Sequence, residues 1–131
     1  MTCSLCDLAG AGETVFTNEF ASVLIHPDWA VPGHAMVVAS RHVENASDLT
    51  TAEWLGFAET ARKAERVLLD ETRADRAILL KLGIQTPHLH LHIYPVSASL
   101  DRAAVMAVIE ARASVARDAS LVEHVRARMN A

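Results

Sequence analysis

The sequence predicts an α+β fold in which a hairpin-rich sheet of five short strands is combined with one long helix and C-terminal helices. Three observations carry this expectation. Short apolar segments in the first forty or so positions are separated by turn signals at Asn18-Glu19 and Pro32-Gly33. Residues 51–71 repeat apolar side chains at helical spacing. Residues 88–94 alternate histidine with apolar residues, the two-residue period of a strand. At 131 residues, 51% of them hydrophobic, the chain matches one domain, 1–131, with a single core.

Taken in order, residues 15–17 and 21–26 read as two strands joined at Asn18-Glu19, and 35–39 as a third after the Pro32-Gly33 turn. Thr50 and Glu53 have the spacing of a capping box. Behind it, Trp54, Phe57, Ala58, Ala61, Ala64, Val67 and Leu68 share one face, which predicts a helix over 51–71. Residues 77–82 form the fourth strand and 88–96 the fifth. Asp101 can cap a helix running to about residue 117, and 121–129 reads as a last short helix. His124 on that helix is assigned to the surface.

Composition excludes several classes. No apolar run approaches the roughly 20 residues that span a bilayer. Met1-Thr2-Cys3-Ser4 lacks the basic and apolar regions of a signal peptide, which points to the cytoplasm. A net charge of −4 argues against a nucleic-acid surface, since phosphate-backbone binding requires clustered Lys and Arg. The two cysteines, Cys3 and Cys6, form a C-x-x-C. In a reducing compartment that pair is a metal clip or redox couple before it is a structural disulfide. A redox pair usually sits where a strand meets a helix. Its place at the N-terminus favours metal, and two further ligands are then required.

The strongest signal is His88-Leu89-His90-Leu91-His92-Ile93-Tyr94. On a strand, Leu89, Leu91 and Ile93 face a core, and the three imidazoles line the opposite face roughly 7 Å apart. A lone strand histidine is usually structural. Three in register, preceded by Gly83, Gln85, Thr86 and Pro87 and followed by Pro95, point to function.

This segment resembles the histidine triad motif, His-φ-His-φ-His-φ-φ, of the HIT superfamily. Pro32-Gly33-His34-Ala35-Met36-Val37-Val38 is similar to the family's Pro-Gly-His strand, and Arg41-His42 to its Lys-x-His or Arg-His. Residues 83–95 resemble the short bacterial version that runs from Leu-Gly to the proline after the triad. The likeness covers roughly residues 3–96. It implies a HIT-like fold, a five-stranded antiparallel sheet with one long helix and C-terminal helices. It also implies a nucleotidyl hydrolase or transferase that attacks an α-phosphate through a covalent nucleotidyl-histidine, acts on a small nucleotide substrate and forms a homodimer.

By the same resemblance His90 is the nucleophile, a choice that suits a central imidazole which is neutral and available at pH 7. His88 and His34 would orient it or hold its tautomer, and His92 would contact the phosphoryl oxygens or the leaving group. Gln85 and Thr86 can donate hydrogen bonds to phosphate oxygens, the electrostatic help that phosphoryl chemistry mainly needs. Some members hold a structural zinc on residues matching Cys3, Cys6, His42 and His88, a closed set of two thiolates and two imidazoles that zinc prefers.

The chain also departs from the family pattern. His26 stands where many members place the Asp that grips the ribose hydroxyls, and Asp28 is the nearest substitute. Ile84 replaces a frequent Asn, and Val96 a frequent Arg. Two other readings stay open: a catalytic metal held by His90, His92 and His34, and a triad fold kept as a binding or regulatory module.

Overall fold

The computed structural model describes residues 3–8 and 10–131. Strands β1 (Glu13–Thr17), β2 (Ala21–Ile25), β3 (Ala35–Ala39), β4 (Arg76–Leu80) and β5 (His90–Val96) form one sheet in the order β1-β2-β3-β5-β4. Every neighbouring pair is antiparallel. Helices α1 (Ser4–Asp7), α2 (Thr51–Thr72), α3 (Arg102–Ile109) and α4 (Ala119–Met129) complete the domain with a short 3₁₀ turn at Ala46–Asp48. The Asn18 carboxamide oxygen accepts from the N–H groups of Phe20 and Ala21 at 2.8 and 2.9 Å, which closes the first hairpin.

Both faces of the sheet are covered, so every residue of β2 and β3 is buried. Beneath one face, Val23, Ile25, Val37 and Ile93 pack on Phe57, Ala61 and Leu68 of α2 and on Val122, Val125 and Met129 of α4. Each large side chain buried here stabilises the fold by about 1.5–3 kcal/mol. On the other face, Leu24, Met36 and Val38 lie under Leu5 of α1, while Tyr94 and Val96 lie under Val108 of α3. The gap between those two covers forms a cleft bordered by His90 and His92. The expected alternation therefore holds, with Leu89, Leu91 and Ile93 on the core side.

Helix α2 is held at its start as the sequence predicts. The Thr50 hydroxyl accepts from Glu53 N–H at 3.1 Å, and the Glu53 carboxylate accepts from Thr50 N–H at 2.8 Å. Gly56 is required within the helix because a Cβ there would lie 2.2 Å from the Phe20 ring. Trp54 sits at the rim of the packed face, 41% exposed and stacked on Phe57.

Several boundaries differ from expectation, among them the first strand, which begins at Glu13 and not at residue 15. The second strand ends at Ile25, one residue before His26, and the fourth runs Arg76–Leu80 instead of 77–82. The fifth starts at His90 because His88 lies in a bend, where the N–H of Leu89 is taken by the Val43 carbonyl at 2.6 Å. Helix α3 stops at Ile109 although the following residues favour helix. There Ala111 adopts φ 58°, Val115 N–H bonds the Trp29 carbonyl at 2.9 Å, and Arg117 lies 5.8 Å from the centre of the Trp29 ring. Tertiary bonding outweighs a propensity worth tenths of a kcal/mol per residue. Asp118 then caps α4 by accepting from Ser120 and Leu121 N–H, so that helix begins before residue 121. Among the described residues, no helix is long and apolar enough to cross a membrane.

Candidate active site and metal centre

Strand β5 carries His90 and His92 on the face opposite Leu91 and Ile93, with their rings edge to face at 5.3 Å. His34 arrives from the next strand through the Pro32-Gly33 turn. Gly33 has φ +83°, and a Cβ there would lie 2.8 Å from the Thr72 methyl, so two constraints require glycine. His34 is buried, and its Nε2 lies 3.0 Å from His92 Nδ1. Its ring is sandwiched between Tyr94 at 4.3 Å and His26 at 4.2 Å, the latter nearly parallel at 7°. His26 in turn places Nδ1 2.7 Å from the Asp28 carbonyl oxygen and 3.0 Å from Asp28 N.

His90 is fixed differently. Its Nδ1 donates to the main-chain carbonyl of His88 at 2.7 Å, which leaves Nε2 with a free lone pair. Burial and the neighbouring imidazoles keep the surrounding rings neutral. Desolvation pushes His34 down to about 3 and His92 to about 4, with further lowering by the nearby histidines, and burial lowers His26 as well.

These side chains border a cleft of about 440 Å³ lined by His26, Met36, Gln85, Thr86, His90 and His92. That volume lies within the range of small-molecule sites, roughly 300–1,000 Å³. Gln85 and Thr86, from the loop between β4 and β5, sit where the sequence places them. The Asp28 carboxylate does not line the cleft; that residue acts through its carbonyl on His26.

His88 does not extend the row of rings. Its imidazole is buried and directed at the N-terminal thiols, so its link to His90 is made by the carbonyl. His88 Nδ1 lies 3.5 Å from Cys3 Sγ, 3.6 Å from Cys6 Sγ and 3.1 Å from His42 Nδ1, and Cys6 Sγ lies 3.2 Å from His42 Nδ1. A tetrahedral ion with metal–sulfur bonds of about 2.3 Å and metal–nitrogen bonds of about 2.0 Å sets sulfur and nitrogen about 3.5 Å apart and two nitrogens about 3.3 Å apart. The four side chains fit a metal ion as they stand. His88 Nε2 donates to the Ala39 carbonyl at 2.7 Å, the outer-shell bond that orients a ligating histidine, and burial lowers its pKa so that it stays neutral. Arg41 steadies His42's loop by pairing with Glu53 at 2.8 Å and donating to the Asp48 carbonyl at 2.7 Å.

The structure thus collects the predicted site residues into two adjoining clusters, apart from the Asp28 carboxylate, which stays outside the cleft. The sequence reading missed Tyr94 and Met36. Tyr94 was legible as the next position in the alternation after His92. Met36 lines the cleft because it faces the histidines from β3, opposite His92 in register.

A paired antiparallel sheet presenting His90 and His92 to a cleft, with His34 behind them and a C-x-x-C metal set at one end, defines a histidine-triad site. A HIT domain model matches residues 11–99, and the chain belongs to that family. A curated relative, bis(5'-nucleosyl)-tetraphosphatase (asymmetrical) of Schizosaccharomyces pombe, is 25% identical over 91 residues, 63% of this chain. The chain spans about half that relative's length, 48%. The fold is shared with a histidine triad protein of Bradyrhizobium japonicum at 19% identity and TM-score 0.72, covering 95% of this chain and 92% of that one. A zinc-bound histidine triad family protein of Mycobacterium smegmatis aligns at 17% identity and TM-score 0.71, covering 99% and 94%.

Proposed function

We propose that the protein hydrolyses or transfers nucleotidyl groups, with His90 Nε2 attacking the α-phosphorus of a nucleotide. The observation that carries this reading is the 2.7 Å bond from His90 Nδ1 to the His88 carbonyl, which points the opposite, unprotonated nitrogen toward the cleft. When the N–P bond forms and the leaving group departs with the bonding electrons, the ring becomes cationic. The His88 carbonyl then accepts from a charged donor, a bond stronger in the adduct than in the resting enzyme. Thr86 and Gln85 donate to the phosphoryl oxygens, and His92, next to His90, meets the leaving group. Water then cleaves the N–P bond, releases the nucleoside monophosphate and restores His90.

Dinucleoside polyphosphates come first among substrates because the Schizosaccharomyces pombe relative bears that activity in its name. Nucleoside phosphoramidates and adenylylated adducts offer the same phosphorus and follow. Single-turnover reaction with a dinucleoside tetraphosphate radiolabelled at the α-phosphorus tests the reading. An acid-labile, alkali-stable protein adduct that disappears in His90→Ala is expected; saturable binding with no adduct would make the protein a binding module instead.

Zinc in the Cys3, Cys6, His42 and His88 set is supported by the distances above and by the zinc-bound relative. It would supply structural cross-linking, and a reducing cytoplasm would keep both thiols available. Two copies would pair across β4, an edge strand with Leu79 46% exposed, and the adjoining Trp54 and Leu55 of α2. Light scattering that returns the monomer mass removes that assignment.

A further inference from the structure

We infer, resting on the α-phosphate reading above, that the group displaced from phosphorus is uncharged and apolar, and that Leu82 and Ile84, in the loop between β4 and β5, select it. Among the described residues that line the cleft there is no Asp, Glu, Lys or Arg. Lys81, immediately before the loop, turns its Nζ to donate to Asn45 Oδ1 at 3.2 Å. Burial lowers His26 and holds His92 at about 4, so both of these lining rings are neutral at pH 7. The cleft therefore offers hydrogen bonds and apolar surface but no fixed countercharge.

That composition limits the charge a substrate can bring. One phosphate carries a single charge, which Gln85, Thr86 and His92 can meet with hydrogen bonds. A polyphosphate leaving group adds several more, which would lose hydration with no cation to replace it. For this cleft a nucleoside monophosphate joined to an uncharged group is thus a better match than the dinucleoside polyphosphate that the relative's name suggests.

Ile84 is 81% exposed and Leu82 54%, and both line the cleft. Neither belongs to the buried clusters that hold the fold together. Gly83 between them has φ +66°, so the loop turns where the two side chains meet the cleft. A single exposed aliphatic side chain is ordinary, but two flanking one turn at a cleft form a recognition surface. Gln85 and Thr86, the phosphate donors, follow Ile84 directly, which sets the apolar pair beside phosphorus. His26 and Pro27 enter from the turn between β2 and β3, where the family resemblance puts the ribose, and the loop is left for the departing group.

In the transfer step the His90 Nε2–P bond forms as the bond from phosphorus to the departing nitrogen or oxygen breaks. That atom keeps the bonding pair, takes up one proton from solvent and leaves as a neutral amine or alcohol.

The test compares the AMP phosphoramidates of pentylamine and 4-aminobutanoate, amines alike in length and basicity that differ at the end meeting the loop. The pentyl compound should be favoured at least about tenfold in kcat/KM, and the value should rise about two- to fourfold per methylene from propyl to pentyl. Leu82→Ser/Ile84→Ser should flatten that rise, and Ile84→Lys should move the ratio about tenfold toward 4-aminobutanoate. Ratios within one variant do not depend on how much of it is folded. A dinucleoside tetraphosphate, with or without magnesium, should turn over more slowly than the pentyl compound. A wild-type ratio near one, a ratio unmoved by Ile84→Lys, or faster turnover of the tetraphosphate overturns selection of an apolar leaving group. His90 adducts formed at equal rates from every substrate remove this selection and leave the nucleophile standing; no adduct from any of them removes both.

Discussion

His88 and His90 are two residues apart, yet each offers the nitrogen that the other withholds. His88 gives Nε2 to the Ala39 carbonyl and turns Nδ1 to the thiols of Cys3 and Cys6. His90 gives Nδ1 to the His88 carbonyl and leaves Nε2 for the cleft. The chemistry of an imidazole is thus set by the partner of its second nitrogen. The surroundings differ in the same sense. The cysteine cluster joins a terminal turn, a loop and the approach to β5 with its donors turned inward, while the other cluster is all imidazole and borders open space. The first geometry suits cross-linking, the second turnover.

The comparison breaks most sharply at His90. His90→Ala should reduce turnover on the best dinucleoside polyphosphate on the order of 10⁴-fold or more, above about 5 kcal/mol of transition-state stabilisation. Its melting temperature should stay near wild type, because the ring borders a cleft and its loss leaves no cavity in the core beneath. More than a few per cent residual kcat would remove His90 as nucleophile.

Metal removal should act in the opposite way, on stability first. An ion bound only by the native state stabilises it by about 4 kcal/mol at a thousandfold excess over Kd. Chelation, or Cys3→Ser/Cys6→Ser, should therefore lower Tm clearly. It should reduce activity through His88, whose carbonyl holds His90. Protein purified without chelator that contains no zinc, or that melts unchanged after stripping, would leave the four side chains as a cluster without an ion.

Much of this division was legible in the sequence, and what was not has identifiable causes. Alternation over 88–94 gave the correct face for Leu89, Leu91, Ile93, His90 and His92, because strand geometry permits one assignment once the core side is known. Thr50 and Glu53 marked the start of α2 because capping is local chemistry. The bend at His88 was not readable, since it depends on Val43 and the N-terminal thiols, far away in sequence. The early stop of α3 depends likewise on Trp29 and Glu13. His26 was recognised as a departure at the ribose position, but not as the third member of a histidine group, because its stacking on His34 follows from the turn between β2 and β3.

Acid should separate the clusters next. His34 and His92 are held at about 3 and about 4, far below an ordinary histidine near 6.5, chiefly by burial. Below pH 6.5 the unfolded chain takes up protons that the native state refuses, so stability is fully present above that pH and falls as pH drops toward 4 and then 3. In chelator-stripped protein, urea unfolding at pH 7 and pH 5 should differ by about 1–2 kcal/mol for each ring. His92→Asn should flatten the slope. Equal midpoints at the two pH values would mean that these imidazoles are not buried in solution.

The smallest expected effect lies at the cleft's rim. Many family members offer a carboxylate to the ribose hydroxyls where this chain has His26, whose Nδ1 is already committed to Asp28. One remaining ring nitrogen can make a single contact with the sugar, whereas a carboxylate accepts from both hydroxyls with charge assistance worth about 1.5–3 kcal/mol per bond. Ribo- and deoxyribonucleotide substrates should therefore differ by less than about tenfold in kcat/KM, or under about 1.4 kcal/mol. His26→Asp should widen that ratio. A hundredfold preference for ribose in the unmodified protein would require another group to reach both hydroxyls. The Asp28 carboxylate does not line the cleft, so such a result would imply that the loop between β2 and β3 rearranges when substrate binds.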